Sequence, residues 1–491
     1  MKTYQHYIDG QWCEAADGTR LETSNPASGA VWASVPAAGE ADVNRAVAAA
    51  GRALNEGPWA QMSATRRGRL LYRLGELCIE QARHLGEIET IDSGKLARET
   101  RAQTAYVGDY YQYYAGLADK IQGATLPIDK ADMQVFTRRV PIGVVAAIVP
   151  WNAQMFLAAT KLGPALAAGN TVVLKASEQA PAPMFEFAQL VHEAGFPAGV
   201  VNVITGHGEP CGRALTSHPQ VARVAFTGGP ATARQVVRNS AENFAHLSLE
   251  LGGKSPILVF DDADLDGAVN GVIAGNFGAS GQSCVAGSRV FVQSGIYPAF
   301  MEQLVSRAAQ IVIGDPLDEH THVGPLATAA QIEHIESVVA DSQAQGAELR
   351  CGGHRPDGFE QGHYWTPTVL ACPHQSIRSV REELFGPVCS VLRFETENEA
   401  VELANDSRFG LGAGLFTENL ARGMRVSKAI RSGIVWVNTY RAISPIAPFG
   451  GFGQSGYGRE AGIDTIHDYT RTQAVWINTS SAAMSNPFVM R

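Results

Sequence analysis

Cysteine is scarce and scattered in this chain. The seven, Cys13, Cys78, Cys211, Cys284, Cys351, Cys372 and Cys389, are odd in number and include no Cys-x-x-Cys pair. That spacing argues against a zinc site and a disulfide framework, and it predicts free thiols in a bacterial-type cytoplasmic setting. The histidines include no His-Glu-x-x-His pair, so no metal is expected. No apolar run reaches the length of a membrane span. The opening Met-Lys-Thr-Tyr-Gln-His-Tyr-Ile-Asp-Gly lacks the apolar core of a secretory leader. Positive charge is also short, with 39 Lys and Arg against 48 acidic residues and a net −9. The densest basic cluster, Arg66, Arg67 and Arg69, is too small to offset this. Neither nucleic acid nor an anionic membrane is therefore an expected partner.

A chain of 491 residues exceeds what one hydrophobic core usually supports, so two or three domains are expected. The first part reads as a strand over His6 to Trp12, then helices over Ala41 to Ala53 and Arg66 to Ile91. Tyr106, Tyr110, Tyr111, Tyr113 and Tyr114 follow on a helical stretch, where core packing is their ordinary use. From Pro141 the texture changes. Apolar strands at Gly143 to Val149, Thr171 to Leu174, Val200 to Ile204 and Val221 to Phe226 alternate with helices at Phe156 to Ala168 and Pro183 to Ala194. Strands apolar throughout and separated by helices predict a parallel sheet covered on both faces. Such sheets bind ligands beyond the carboxyl ends of their strands. A second α/β unit begins near Gly252, with strands at Ile257 to Phe260, Val290 to Val292, Thr368 to Leu370, Val388 to Phe394 and Val435 to Val437.

Two imitations are set aside. Gly252-Gly253-Lys254-Ser255 ends like a phosphate-binding P-loop, but Ser248 stands where its first glycine belongs. Gly206-His207-Gly208 follows a strand, but Cys211 replaces the third glycine of a dinucleotide fingerprint, so it reads as a turn. Phe226-Thr227-Gly228-Gly229-Pro230 closes a strand and opens a helix, a setting whose free N–H groups suit a pyrophosphate. Cys284 lies in Gly-Gln-Ser-Cys-Val-Ala-Gly, where small neighbours leave the sulfur accessible. Upstream, Glu250 lies in Leu-Glu-Leu-Gly-Gly-Lys-Ser-Pro. A thiol and a carboxylate in such settings pair as nucleophile and base.

Read together, the segments Pro150-Trp151-Asn152, Lys175-Ala-Ser-Glu178, Phe226-Thr227-Gly228, Leu249-Glu250-Leu251-Gly252-Gly253-Lys254, Gly281-Gln282-Ser283-Cys284, Glu383-Leu384-Phe385-Gly386-Pro387 and Pro448-Phe449-Gly450-Gly451 resemble the aldehyde dehydrogenase superfamily, of the NAD(P)-dependent, non-acylating kind. The resemblance runs from about Tyr7 to about Asn478. It implies oxidation of a small-molecule aldehyde to an acid, with Cys284 as nucleophile, Glu250 as base for thioester hydrolysis and the Asn152 amide on the oxyanion. Lys161 and Glu460 match positions that relay protons from the base. Lys175 and Glu178 would hold the adenosine ribose, which favours NAD with NADP as the alternative. Glu383 would hold the nicotinamide ribose beside Phe385. Ile148, Pro150, Trp151, Phe226, Thr227, Gly228, Gly229, Leu251 and Gly252 would complete the cofactor site. Ala153, Leu157, Thr160, Ser283, Val285, Arg441, Ile443 and Phe449 would border the substrate.

The implied fold class is α/β, with a Rossmann-like parallel-sheet cofactor domain, a second α/β catalytic domain and a small β-hairpin arm. The expected domains are 1–121 with 140–251 for the cofactor, 252–465 for catalysis, and 122–139 with 466–491 for an oligomerisation arm and C-terminal strand. A homodimer or homotetramer follows from the same resemblance. The chain departs from common members at Gly229, Ala233, Ala153 and Thr160. The first two change the phosphate site. The last two remove bulk from the expected substrate tunnel and predict a bulky or cyclic aldehyde. Arg441, near the expected tunnel mouth, is placed to attract an acidic substrate, against its more ordinary reading as a solvated surface arginine. A cysteine acyl hydrolase and a CoA-acylating semialdehyde dehydrogenase are the alternatives. The cofactor residues argue against the first, and Glu250, a hydrolytic base, argues against the second.

Overall fold

The computed structural model describes residues 1–484 and 486–489. Positions 485, 490 and 491, which belong to the expected C-terminal segment, lie outside the described residues.

Two large sheets organise the molecule. Across the first, the strand order is Gly456–Tyr457, His246–Glu250, Val221–Thr227, Val144–Ile148, Thr171–Ala176, Val201–Thr205, His6–Ile8 and Gln11–Cys13. The five from His246–Glu250 to Val201–Thr205 are parallel. Across the second, the order is Glu348–Cys351, Thr368–Ala371, Val388–Phe394, Arg289–Gln293, Pro256–Val259, Gly412–Phe416 and Ile434–Val437, parallel except at the Glu348–Cys351 edge. Strands such as Val144–Ile148 and Thr171–Ala176 are buried along their whole length, as helix-covered parallel sheets require.

Helix Gln154–Ala167 is buried at every residue, and its sequence is apolar nearly all round. It carries Lys161 into the interior. The tyrosine-rich helix Ala97–Leu117 packs on it, and Tyr110, Tyr111 and Tyr114 are core residues. A three-stranded sheet joins Thr125–Leu126, Met133–Pro141 and the C-terminal Thr470–Asn478, all antiparallel. Among the described residues, no helix is long and apolar enough to cross a membrane.

Several elements differ from the sequence reading. His6 to Trp12 is a hairpin, because Asp9 and Gly10 both take positive φ, at 55° and 74°. The helical stretch from Arg66 to Ile91 is two helices, Ala64–Glu80 and Ala82–Ser93, broken at Gln81. The strands His246–Glu250 and Gly412–Phe416 are further elements of the two sheets. Gly456–Tyr457, inside the segment expected for the second domain, adds to the edge of the first sheet. Gly252 to Ser255 leads straight into a strand with no helix behind it, so it is no P-loop.

Candidate active site

The parallel strands of the first sheet deliver the site at their carboxyl ends. Lys175, Thr227 and Glu250 are near or at the last positions of Thr171–Ala176, Val221–Thr227 and His246–Glu250, while Asn152 follows Val144–Ile148. A cleft of about 580 Å3 opens there. It is lined by Ile148, Pro150, Trp151, Lys175, Glu178, Phe226, Thr227, Gly228 and Gly229 among others. A second cavity, about 270 Å3, shares Pro150, Trp151, Thr227, Gly228 and Gly229 with the cleft. It adds Asn152, Leu157, Glu250, Leu251, Gly252, Cys284, Glu383 and Phe385. The thiol and the carboxylate, distant in sequence, thus face one cavity.

The approach is close because the glycines allow it. A Cβ on Gly253 would stand 2.7 Å from the carbonyl oxygen of Cys284, and one on Gly252 would overlap the Glu383 carboxylate at 1.9 Å. Glu383 Oε1 instead accepts from the Gly253 N–H at 3.0 Å. The loop before Cys284 is unusual backbone. Ala279, Ser280 and Gly281 have φ of 54°, 55° and 73°. Non-glycine residues pay conformational energy for that region, and such strain gathers at functional sites. Four hydrogen bonds hold the loop: Ala279 N–H to Glu99 Oε1, Ser280 Oγ to Gly324 O, Ala327 N–H to Gln282 Oε1, and Asn152 Nδ2 to Gln282 O. The last, at 3.0 Å, ties Asn152 to the segment that carries Cys284. It spends one N–H of the amide and leaves the other free.

Electrostatics favour neutral forms in the resting site. Burial pushes the Cys284 thiol up to about 12; the Glu383 and Glu250 carboxylates add to this and Arg441 opposes it. Burial, then the Glu460 carboxylate, raises Glu250 well above the usual carboxylate range, against Lys161 and Arg459. Glu250 is 3% exposed, and neither of its oxygens has a hydrogen-bond partner among the described residues. Both are left to accept from a small ligand such as water. Burial also lifts Glu383 to about 7.

Behind Glu250 lies a closed polar chain. The Lys161 ammonium donates to Thr227 Oγ1 at 2.6 Å and pairs with the Glu460 carboxylate. Thr160 Oγ1 donates to the other Glu460 oxygen at 2.6 Å. Lys161 and Glu460 are 0% and 2% exposed. Two donors therefore satisfy both oxygens of this buried carboxylate. Thr160 was expected to border the substrate. The structure buries it and turns its hydroxyl to Glu460, so its small size opens no described cavity.

The remaining expected substrate residues are outside both cavities. Ala153 is partly exposed just before helix Gln154–Ala167. Ser283 and Val285 flank Cys284, with Val285 buried. The Ile443 carbonyl accepts from the Tyr106 hydroxyl at 3.0 Å. Phe449 exchanges backbone hydrogen bonds with Glu460. Arg441 is partly buried, and its Nη1 donates to the Ala274 carbonyl at 3.2 Å, unlike a free surface arginine.

Gly208, Glu209 and Gly212 line the larger cleft, and Gln331 lines the smaller cavity. The Gly206-His207-Gly208 turn is thus part of the cleft wall, although it lacks a full fingerprint. Gln331 lies on helix Ala329–Ala344 and carried no signal in its neighbourhood.

The cleft fits a dinucleotide. Helix Pro230–Asn239 begins at its wall, capped by Gly229 with no side chain occupying the N-terminus. A Cβ on Gly229 would meet nothing within 4 Å, so the backbone N–H groups stay open to a pyrophosphate. Lys175 Nζ stands 3.4 Å from Glu178 Oε2 at the far end, and Trp151 meets Phe385 edge to face at 5.5 Å near the other.

Such a cleft joined to a cavity with a cysteine and a glutamate defines a dinucleotide-dependent oxidoreductase working through a thiol. The sequence matches the Aldehyde dehydrogenase family over residues 12–475, and the chain belongs to that family. It is 54% identical, over 100% of both chains, to the (Z)-2-((N-methylformamido)methylene)-5-hydroxybutyrolactone dehydrogenase of Acinetobacter baylyi. PnpE from Pseudomonas sp. WBC-3 matches with a TM-score of 0.96 and 41% identity over 99% of this chain and 100% of that one. The NAD+ complex of a Bacillus cereus aldehyde dehydrogenase matches with a TM-score of 0.95 and 40% identity, covering 98% of this chain and 97% of that one. The protein is therefore an NAD(P)-dependent aldehyde dehydrogenase, which oxidises an aldehyde to a carboxylic acid.

Proposed function

We propose that Cys284 is the nucleophile, Glu250 the hydrolytic base and Asn152 an oxyanion donor, acting on a bulky or cyclic aldehyde. The observation that carries the assignment is the shared cavity of all three side chains. Cys284 Sγ attacks the aldehyde carbon, its proton passing to Glu250, and the oxygen takes up negative charge. The free N–H of Asn152 and the Cys284 backbone N–H stabilise that charge. The bound dinucleotide supplies the hydride acceptor. What remains on Cys284 is a thioester. Water gives a proton to Glu250 and attacks the thioester carbon; the sulfur leaves and the acid is released. Lys161 and Glu460 carry the proton on from Glu250 through the buried chain. Lys175 and Glu178 hold the adenosine ribose, and Glu383 the nicotinamide ribose.

Two points support the substrate class. A small side chain, Ala153, stands just before the helix that carries Leu157 into the cavity. The Acinetobacter relative is named for a ring substrate. A hydroxybutyrolactone is an aldehyde acid closed on itself, so we read the substrate of this chain as an aldehyde of that kind. A kinetic panel tests this. kcat/KM for a hydroxylactone or a branched aldehyde should exceed that for acetaldehyde by about tenfold or more, as extra methylenes in a fitted pocket give. A preference for acetaldehyde overturns the reading.

Cofactor choice follows from Glu178. Its carboxylate accepts from a ribose 2′-hydroxyl and repels a 2′-phosphate. Glu178→Gln should raise the NADP-to-NAD ratio of kcat/KM by about tenfold, equivalent to roughly 1.4 kcal/mol. An unchanged ratio would remove Glu178 from cofactor selection.

The hairpin and C-terminal strand support a homodimer or homotetramer. Leu126, Trp476 and Ile477 are exposed on that three-stranded sheet, apolar surface of the kind that subunit contacts cover. The seven free cysteines support a cytoplasmic location.

A further inference from the structure

Arg441 is held in place by more of the fold than a solvated arginine needs. Its φ is 65°, a conformation that non-glycine residues adopt only where the surroundings impose it. Tyr440, just before it, is buried against Trp436 with ring centroids 4.8 Å apart. The Tyr440 hydroxyl donates to the carbonyl of Val285 at 2.8 Å, and Val285 follows the nucleophile directly. Arg441 is therefore tied to the chain that carries Cys284. Its guanidinium lies over Gly278, where any Cβ would come within 2.2 Å of Nη1. Nη1 donates to the Ala274 carbonyl in the last turn of helix Leu265–Phe277.

These contacts fix the direction of the group but spend little of it. A guanidinium has five N–H donors, and a single hydrogen bond is made among the described residues. It takes part in none of the described ion pairs, unlike Arg378, Arg422 and Arg425. Its positive charge is close enough to Cys284 to oppose the carboxylates around the thiol. A partly buried arginine with unspent donors, tied through Tyr440 to the segment that carries Cys284, has the chemistry of a carboxylate receptor.

The substrate class read above contains such a carboxylate. When a 5-hydroxybutyrolactone opens, the bond between the hydroxyl-bearing carbon and the ring oxygen breaks. The hydroxyl oxygen becomes the aldehyde oxygen, its proton passes to solvent, and the ring oxygen stays with the acyl carbon as carboxylate. No oxidant is consumed in that step. The open form is a 4-oxobutanoate, with an aldehyde at one end and an anion at the other. We propose that Arg441 binds this carboxylate, so that the enzyme selects the ring-opened semialdehyde and releases a dicarboxylate. This rests on the hydroxylactone reading of the substrate.

Steady-state kinetics of the wild type, Arg441→Met and Arg441→Gln with NAD test it, using 4-oxobutanoate and the neutral aldehyde pentanal. The readout is the ratio of kcat/KM for the two. The wild type should favour 4-oxobutanoate. In both variants the ratio should fall by about 30-fold, within the range for losing a charge-assisted hydrogen bond, and mainly through KM. Arg441→Gln retains a donor for Ala274, so it carries the test if the methionine variant does not fold. Succinate should compete with 4-oxobutanoate in the wild type and lose that effect in the variants. A wild type that favours 4-oxobutanoate, with variants that keep the ratio, overturns the role of Arg441 and leaves the substrate reading standing. A wild type that favours pentanal overturns both.

Discussion

Cys284→Ala should abolish aldehyde oxidation while leaving NAD binding nearly unchanged. The expected loss in kcat is about 10⁴-fold or more, the scale seen when a covalent nucleophile is removed. The reason lies in the order of events. A bare aldehyde is a poor hydride donor, whereas the tetrahedral adduct on sulfur carries an alkoxide that expels hydride readily. Without the sulfur there is no adduct. The larger cleft contains no atom of Cys284, so a dinucleotide loses no contact there. The check is turnover by NADH absorbance beside NAD affinity by fluorescence titration. Residual turnover within tenfold of wild type would mean that another group attacks. The buried thiols of Cys78, Cys211, Cys372 and Cys389 line neither cavity, so none is placed to substitute.

Glu250→Gln should separate the two halves of the reaction. The amide is close in size but cannot take a proton from water. Thioester hydrolysis should slow by about 10² to 10³-fold, the usual contribution of a positioned base. Hydride transfer should suffer less, so rapid mixing should show a near-stoichiometric burst of NADH followed by slow turnover. No burst together with unchanged turnover would remove Glu250 from this role. The wild-type pH profile adds a sign. A base acts only when deprotonated. Burial and Glu460 hold Glu250 above the usual carboxylate range. Deacylation should therefore rise with pH through a correspondingly high apparent pKa, and Glu250→Gln should flatten that limb.

The relation between Glu250 and the Lys161–Glu460 pair shows why the site is built deep in the fold. A solvated glutamate would be ionised but would share its proton freely with bulk water. Here the second carboxylate keeps the first from ionising early, while Lys161 and Thr160 bond to the second.

Much of the first sheet was legible because its strands are uniformly apolar and its helices strongly periodic. Val388–Phe394 has the expected bounds, since its apolar run and flanking turns agree there. Other elements gave a false or weak local signal. His246–Glu250, which ends on the proposed base, is only five residues long and alternates polar with apolar. Its place in a sheet is set by Val221–Thr227 on one side and Gly456–Tyr457 on the other. The hairpin at Asp9-Gly10 was hidden by apolar residues on both arms. Thr160 reads in sequence as a lost bulky side chain, and its bond to Glu460 joins positions three hundred residues apart.

From the order of residues alone come the motifs, the family they resemble and the proposal of Cys284, Glu250 and Asn152 as thiol, base and amide. Each is a local pattern of small and reactive side chains, and local patterns survive without a fold. The common cavity of Cys284 and Glu250, the raised affinity of both for protons and the anchoring of Arg441 exist only once the two sheets meet. Those properties depend on burial and on charges brought close through space, and neither distance nor dielectric is written along a chain.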